Sequence, residues 1–166
     1  MKYPNDIDFY YTFGNYGWSC CYLYVDGSNY YIGPKHVLEN PIEVLLNALV
    51  LILEGAPEAA CKWHGEFGDC IWSIKRIPKL QHKVHISISG CTEINCDGYT
   101  NLETLHVEVK LKSFCTCVLK QMEKIRNSTA EKGSRKHGTG EFPFATFEEF
   151  VRAYNQTDPS QELPAD

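Results

Sequence analysis

Hydrophobic and polar positions alternate in three consecutive runs between Ala60 and Ile88. Trp63, Gly65 and Phe67 alternate with Lys62, His64 and Glu66, and Trp72 and Ile74 alternate with Ser73 and Lys75. Val84, Ile86 and Ile88 then alternate with His85, Ser87 and Ser89. A period of two points successive side chains to opposite faces of a strand, so these runs predict half-buried antiparallel strands with the indoles and aliphatics inward. Further on, Leu105, Val107, Val109 and Leu111 alternate with His106, Glu108, Lys110 and Lys112 and predict another strand over residues 102–112. Near the start, the runs 18–25 and 30–32 flank Asp26-Gly27-Ser28-Asn29 and predict a β-hairpin, with Tyr22 and Tyr24 on one face.

The period changes to that of a helix between Pro41 and Glu54. Asn40 is a suitable N-cap, Pro41 suits the first helical position, Glu43 can reach back towards the cap and Gly55 can close the C-terminus. Ile42, Leu45, Leu46, Leu49, Val50, Ile52 and Leu53 predict a helix laid across a sheet and buried around most of its circumference, with Asn47 as a satisfied buried amide. Helical spacing returns over residues 114–126, where Phe114, Cys117, Val118, Met122 and Ile125 share a face. It returns again over residues 147–154, behind a capping box at Thr146. Residues 90–101 read as turn chemistry, 127–140 as a mobile basic loop and 157–166 as a flexible C-terminal tail. The expectation is one α+β domain over residues 1–156. It has a mostly antiparallel sheet of five or six strands, one long buried helix at 41–54 and two C-terminal helices packed on the sheet.

Charge is unevenly distributed. Residues 1–70 carry a net −6, residues 71–136 a net +6 and residues 137–166 a net −5. A basic middle between acidic ends suits a charged partner, while the overall acidity and the absence of a basic-aromatic module argue against nucleic acid. No run approaches the roughly 18 apolar residues of a membrane span. Asp6 and Asp8 stand where a secretory peptide would need apolar residues, so a cytoplasmic protein is expected, with its eight cysteines mostly reduced.

Candidate chemistry is sparse. On one sheet, parity would place His64, Glu66, His85, His106 and Glu108 on a common outer face, where imidazoles and a carboxylate could bind a transition metal or move protons. Cys115 and Cys117 near a helix start could have lowered pKa values. Against this, the cysteine spacings match no zinc ribbon or redox motif, and no hydrolase, zincin, Walker or dinucleotide fingerprint occurs. No catalytic residue, metal or cofactor is therefore assigned.

The order of features resembles small uncharacterised bacterial α+β proteins of the immunity-protein type. The resemblance rests on Leu45, Leu46, Leu49, Leu53 and Gly55, the W-x2-E-x-G-x3-W pattern of Trp63, Glu66, Gly68 and Trp72, and the closing Phe142-Pro143. It implies a non-enzymatic protein that neutralises a cognate toxin by direct binding and needs a charged, aromatic surface. Tyr22, Tyr24, Asp26, His64, Glu66, Asp69 and His85 are the candidate partner contacts, with Asp26, Glu66 and Asp69 facing the basic cleft of a nuclease-type toxin. The alternatives are a metal- or cysteine-dependent enzyme using the outer sheet face, and a structural or regulatory homodimer formed through an open sheet edge.

Overall fold

The structure, a computed structural model, describes residues 6–13, 18–34, 39–65, 68–132 and 142–157. In chain order the strands and helices are β1 (Ile7–Phe13), β2 (Ser19–Val25), β3 (Ser28–Ile32), α1 (Pro41–Leu53), β4 (Glu58–Trp63), β5 (Cys70–Ile77), β6 (Leu80–Asn95), β7 (Gly98–Lys110), α2 (Leu111–Lys132) and α3 (Phe144–Gln156). Among the described residues, seven strands form one antiparallel sheet in the order β1-β2-β3-β6-β5-β4, with β7 on the other edge of β6. The fold is α+β, as the alternating runs predict.

β6 is the spine. Along one edge its first half pairs with β5, from Trp72↔Ile88 to Ile77↔Leu80, and its second half pairs with β3, from Tyr31↔Thr92 to Asn29↔Ile94. β7 follows the opposite edge throughout, from Lys83↔Lys110 to Asn95↔Gly98. The change of partner falls at Gly90, whose φ is +68°. Burial changes parity there: Val84, Ile86 and Ile88 face the core, and so does Cys91, three residues after Ile88. β7 does the same between Leu105, which is buried, and Leu102, which packs against the core. The strand pair kinks and the sheet curls, in a left-handed backbone conformation that glycine adopts without a Cβ penalty.

The curl wraps the sheet around the helices. Phe9 and Tyr11 of β1, Leu23 of β2, Ile32 of β3, Trp63 of β4, Trp72 and Ile74 of β5, and the inward residues of β6 and β7 are all buried. α2 lies over β1 and reaches β6 and β7, while α1 covers β4 and packs on α3. Phe114, Val118 and Met122 of α2 are fully buried on the predicted face. Each such large side chain contributes about 1.5–3 kcal/mol of transfer free energy.

α1 forms for the reasons its sequence gives. The Asn40 side chain accepts the Glu43 N–H, Pro41 opens the helix, and Gly55 at φ +107° closes it. There the Ala56 N–H reaches the Leu51 carbonyl and the Gly55 N–H the Ile52 carbonyl, a Schellman closure. The Arg76 guanidinium also donates to the Ile52 carbonyl and to the Gln81 carbonyl, placing a cation at the negative end of the helix.

Several expectations are corrected. Asn47 is exposed and shares the wet stripe of α1 with Leu51, which is 54% exposed, so it is no buried amide. Residues 90–101 are mostly strand, with only Cys96 and Asp97 turning between β6 and β7. Cross-strand pairing holds that distal hairpin although neither face shows an apolar alternation. α2 begins at Leu111 and continues to Lys132, so residues 127–132 are helical, while 133–140 lie outside the described residues. The Thr146 capping box does not form. α3 starts at Phe144 behind Pro143, and the Thr146 hydroxyl donates to the Glu43 carboxylate, tying α3 to α1. β4 stops at Trp63, so His64 and Gly65 leave the strand, and Glu66 and Phe67 lie outside the described residues, as does the tail beyond Thr157.

Candidate binding face

The site begins at the Asp26-Gly27 turn. Both residues have positive φ, +46° and +90°, the requirement of a two-residue hairpin turn whose twist matches the flanking strands. The tight turn sets the register of β2 on β3 and so places Tyr22 opposite Tyr31 and Tyr24 opposite Asn29. β1 then adds Tyr10 opposite Tyr22 and Asp8 opposite Tyr24. Because Phe9, Tyr11, Leu23 and Ile32 take the inner face, these residues stand on the outer one.

Two rows result. The first runs Tyr10, Tyr22, Tyr31, then Thr92 and Asn101, with ring centroids 6.3 Å apart for Tyr10 and Tyr22 and 5.3 Å apart for Tyr22 and Tyr31. The second runs Asp8, Tyr24, Asn29, Ile94 and Tyr99, and Tyr99 is 81% exposed. Asp6 closes the acidic end. Its N–H donates to the Asp26 carboxylate, and its carbonyl accepts the Asp26 N–H at 3.0 Å. Asp6, Asp8, Tyr10, Tyr22, Tyr24 and Asn29 surround a hollow of about 360 Å³. No Lys or Arg occurs between residues 3 and 34, so the strands that build this face bring carboxylates and no cation of their own.

The remaining predicted contacts lie elsewhere. His64 and Asp69 meet at the β4–β5 connection, where His64 Nδ1 is 3.0 Å from Asp69 Oδ1 and Lys62 Nζ is 2.7 Å from Asp69 Oδ2. These hydrogen bonds, Lys62's foremost, hold the Asp69 carboxyl below its usual value. Asp69 borders a second cleft, of about 420 Å³, at the seam where β6 changes partner, with Trp18, Tyr31 and four glycines among its walls. Adding a Cβ at Gly65 would bring it within 2.3 Å of the Gly68 carbonyl oxygen, so the chain passes there only without a side chain. His85 sits on the outer face of β6 between Lys75 and Glu108.

Strand parity holds for part of that outer face. His85 and His106 do meet, Nε2 to Nδ1 at 3.2 Å with ring centroids 5.2 Å apart, and so touch edge to edge through their nitrogens. His64 does not join them, because it has left its strand. Among the described residues no group of three or more His, Cys, Asp or Glu side chains could hold a metal ion.

The thiols are equally informative. All eight cysteines, each among the described residues, are unpaired. Burial pushes the Cys61 and Cys115 thiols up to about 12 and Cys70 up to about 11, and it raises Cys21, Cys91 and Cys117 as well. The expected activation of Cys115 or Cys117 is thereby overturned. Both thiols are held neutral, the opposite of what a thiolate nucleophile needs.

Sequence reasoning found Tyr22, Tyr24 and Asp26 but not their companions Asp6, Asp8, Tyr10, Tyr31 and Tyr99. The available signal was the Asp-Gly turn, which dictates the 22↔31 and 24↔29 pairs, together with the absence of Lys and Arg between residues 3 and 34. No family model, curated protein or solved structure matches the chain. No described helix is long and apolar enough to cross a membrane.

Proposed function

We propose that this is a binding protein rather than an enzyme, and that it recognises another protein through the tyrosine rows of β1, β2 and β3. The observation that carries the reading is the Tyr10, Tyr22, Tyr31 ladder, bounded by Asp6, Asp8 and Asp26 in a stretch free of Lys and Arg. Tyrosine buries large area at low entropy cost and dominates interface energetics, while a one-signed rim speeds encounter with an oppositely charged surface. The specific role is that of a bacterial immunity protein, acting in the cytoplasm by covering the basic cleft of a cognate toxin domain. Two things support it: a feature order that resembles that of immunity-type proteins, and thiols that burial holds neutral, which suit a binder better than a hydrolase.

The test takes as candidate partner any toxin-like domain encoded by a neighbouring reading frame. Co-expression is expected to rescue growth, and Tyr10→Ala/Tyr22→Ala is expected to lose rescue while keeping its melting temperature within a few degrees. Full rescue by that variant would remove the face from the interface.

A second reading draws on β7, thirteen residues long and paired on one side only among the described strands. Such an edge is a template for a second copy, forming a homodimer. A monomeric mass by light scattering at 100 µM would dispose of it.

A further inference from the structure

The geometry points to a narrower assignment: the hollow between Asp6, Asp8, Tyr10, Tyr22, Tyr24 and Asn29 receives the guanidinium group of one arginine side chain from the partner. The inference rests on reading this face as the interface and names the chemistry at its acidic end. Three tyrosines and two carboxylates share one concavity of about 360 Å³, and the rings of Tyr10 and Tyr22 are tilted by 48°. They therefore make an open cleft rather than a flat wall. Asp8 Oδ1 accepts the N–H of Phe9 at 2.8 Å, which fixes the carboxylate against the strand. Asp6 is held by its two backbone-level bonds to Asp26 at the far end of the adjacent strand.

An aromatic face attracts a cation through its quadrupole, and a carboxylate attracts it by charge. Arginine satisfies both at once, because its planar fork can donate to a carboxylate in the ring plane while its flat face stacks on an aromatic ring. A lysine ammonium is a compact, strongly hydrated point charge and loses more hydration against two phenol walls. A hard metal ion would need additional oxygen donors where this hollow presents ring faces.

The experiment titrates the full chain with acetyl-Gly-Arg-Gly-amide and follows backbone and tyrosine ring resonances by NMR. The same peptide with citrulline, the neutral isostere, and the same peptide with lysine serve as comparisons. The expected result is saturable shifts centred on Asp8, Tyr10, Tyr22 and Tyr24 with a millimolar dissociation constant. Binding should be at least tenfold weaker for citrulline and for the Asp8→Asn variant, and several-fold weaker for lysine. Equal binding of citrulline, equal binding of lysine, or shifts centred away from these residues would overturn the assignment. The titration needs no toxin, so it can fail while toxin rescue stands, and it can succeed while toxin rescue fails.

Discussion

The ring of Tyr11 lies 6.1 Å from the ring of Trp63, although β1 and β4 stand at opposite ends of the strand order. The two ends of the sheet thus meet inside the molecule through side chains. Around that contact Tyr11, Trp63, Trp72, Phe114 and Phe9 close a ring, with centroid separations of 6.1, 5.0, 6.5 and 6.3 Å and a final 6.4 Å back to Tyr11.

Trp63 is the member on which the closure depends, being 1% exposed. Trp63→Ala is expected to cost about 3–5 kcal/mol, the usual penalty for emptying a buried aromatic site. Trp63→Phe is expected to cost well under half of that, since its Nε1 has no hydrogen-bond partner among the described residues and the replacement abandons no bond. Urea denaturation of the two variants checks the ordering.

Gly90 takes φ +68°, and a Cβ there would lie 3.3 Å from the Asp69 carbonyl oxygen. Gly90→Ala is expected to destabilise by about 1–2 kcal/mol from the left-handed backbone alone, with some addition from the crowded carbonyl. Gly55, also at positive φ but with open space around it, gives the comparison. Gly55→Ala should cost at least as much from the backbone alone, because φ +107° lies outside the left-handed well that alanine can occupy, as read from the same denaturation midpoints.

Arg76 joins β5 to the end of α1 through its donation to the Ile52 carbonyl. Arg76→Met keeps most of the aliphatic stem and removes the donors, and is expected to cost about 1–3 kcal/mol. Hydrogen exchange should accelerate first at Gly55 and Ala56, whose N–H groups complete the same helix end.

Alkaline stability follows from the thiols. Cys115 rises to about 12 in the folded chain, while an unfolded cysteine ionises near 8.5. A raised folded pKa means that the stabilisation is intact below about pH 8.5 and drains away as pH climbs towards 12, because only the unfolded chain has released the proton. Each such thiol adds a slope of about −1.4 kcal/mol per pH unit in that window. Cys115→Ala should start less stable at pH 7 and show a visibly shallower decline between pH 9 and 11, measured by denaturant midpoints at each pH.

The sheet was legible where one face is core and the other wet, as in Trp72, Ile74, Val84, Ile86 and Ile88. β1 escaped notice because Tyr10 and Tyr11 are adjacent aromatics of opposite facing, so the period of two is hidden by residue type. The distal hairpin was missed because Thr92, Glu93, Thr100 and Asn101 carry no apolar signal, and pairing alone specifies them. Parity reasoning reached His85 and His106 but could not carry His64, since it assumes a strand that ends one residue earlier. On the binding face, alternation revealed Tyr22 and Tyr24. Their neighbours Tyr10 and Asp8 depend on the register of β1 against β2, which no alternation of residue type in β1 signals.

β6 joins β3 to β5, yet it is made after both of them. A ribosome reading this chain releases β1, β2 and β3, then α1, β4 and β5, as two incomplete sheets with bare edges, and only residues 80–95 bring them together. The kinked strand is thus the late keystone of synthesis, and until it emerges the nascent chain carries hydrophobic edges that a chaperone or a second nascent copy can capture.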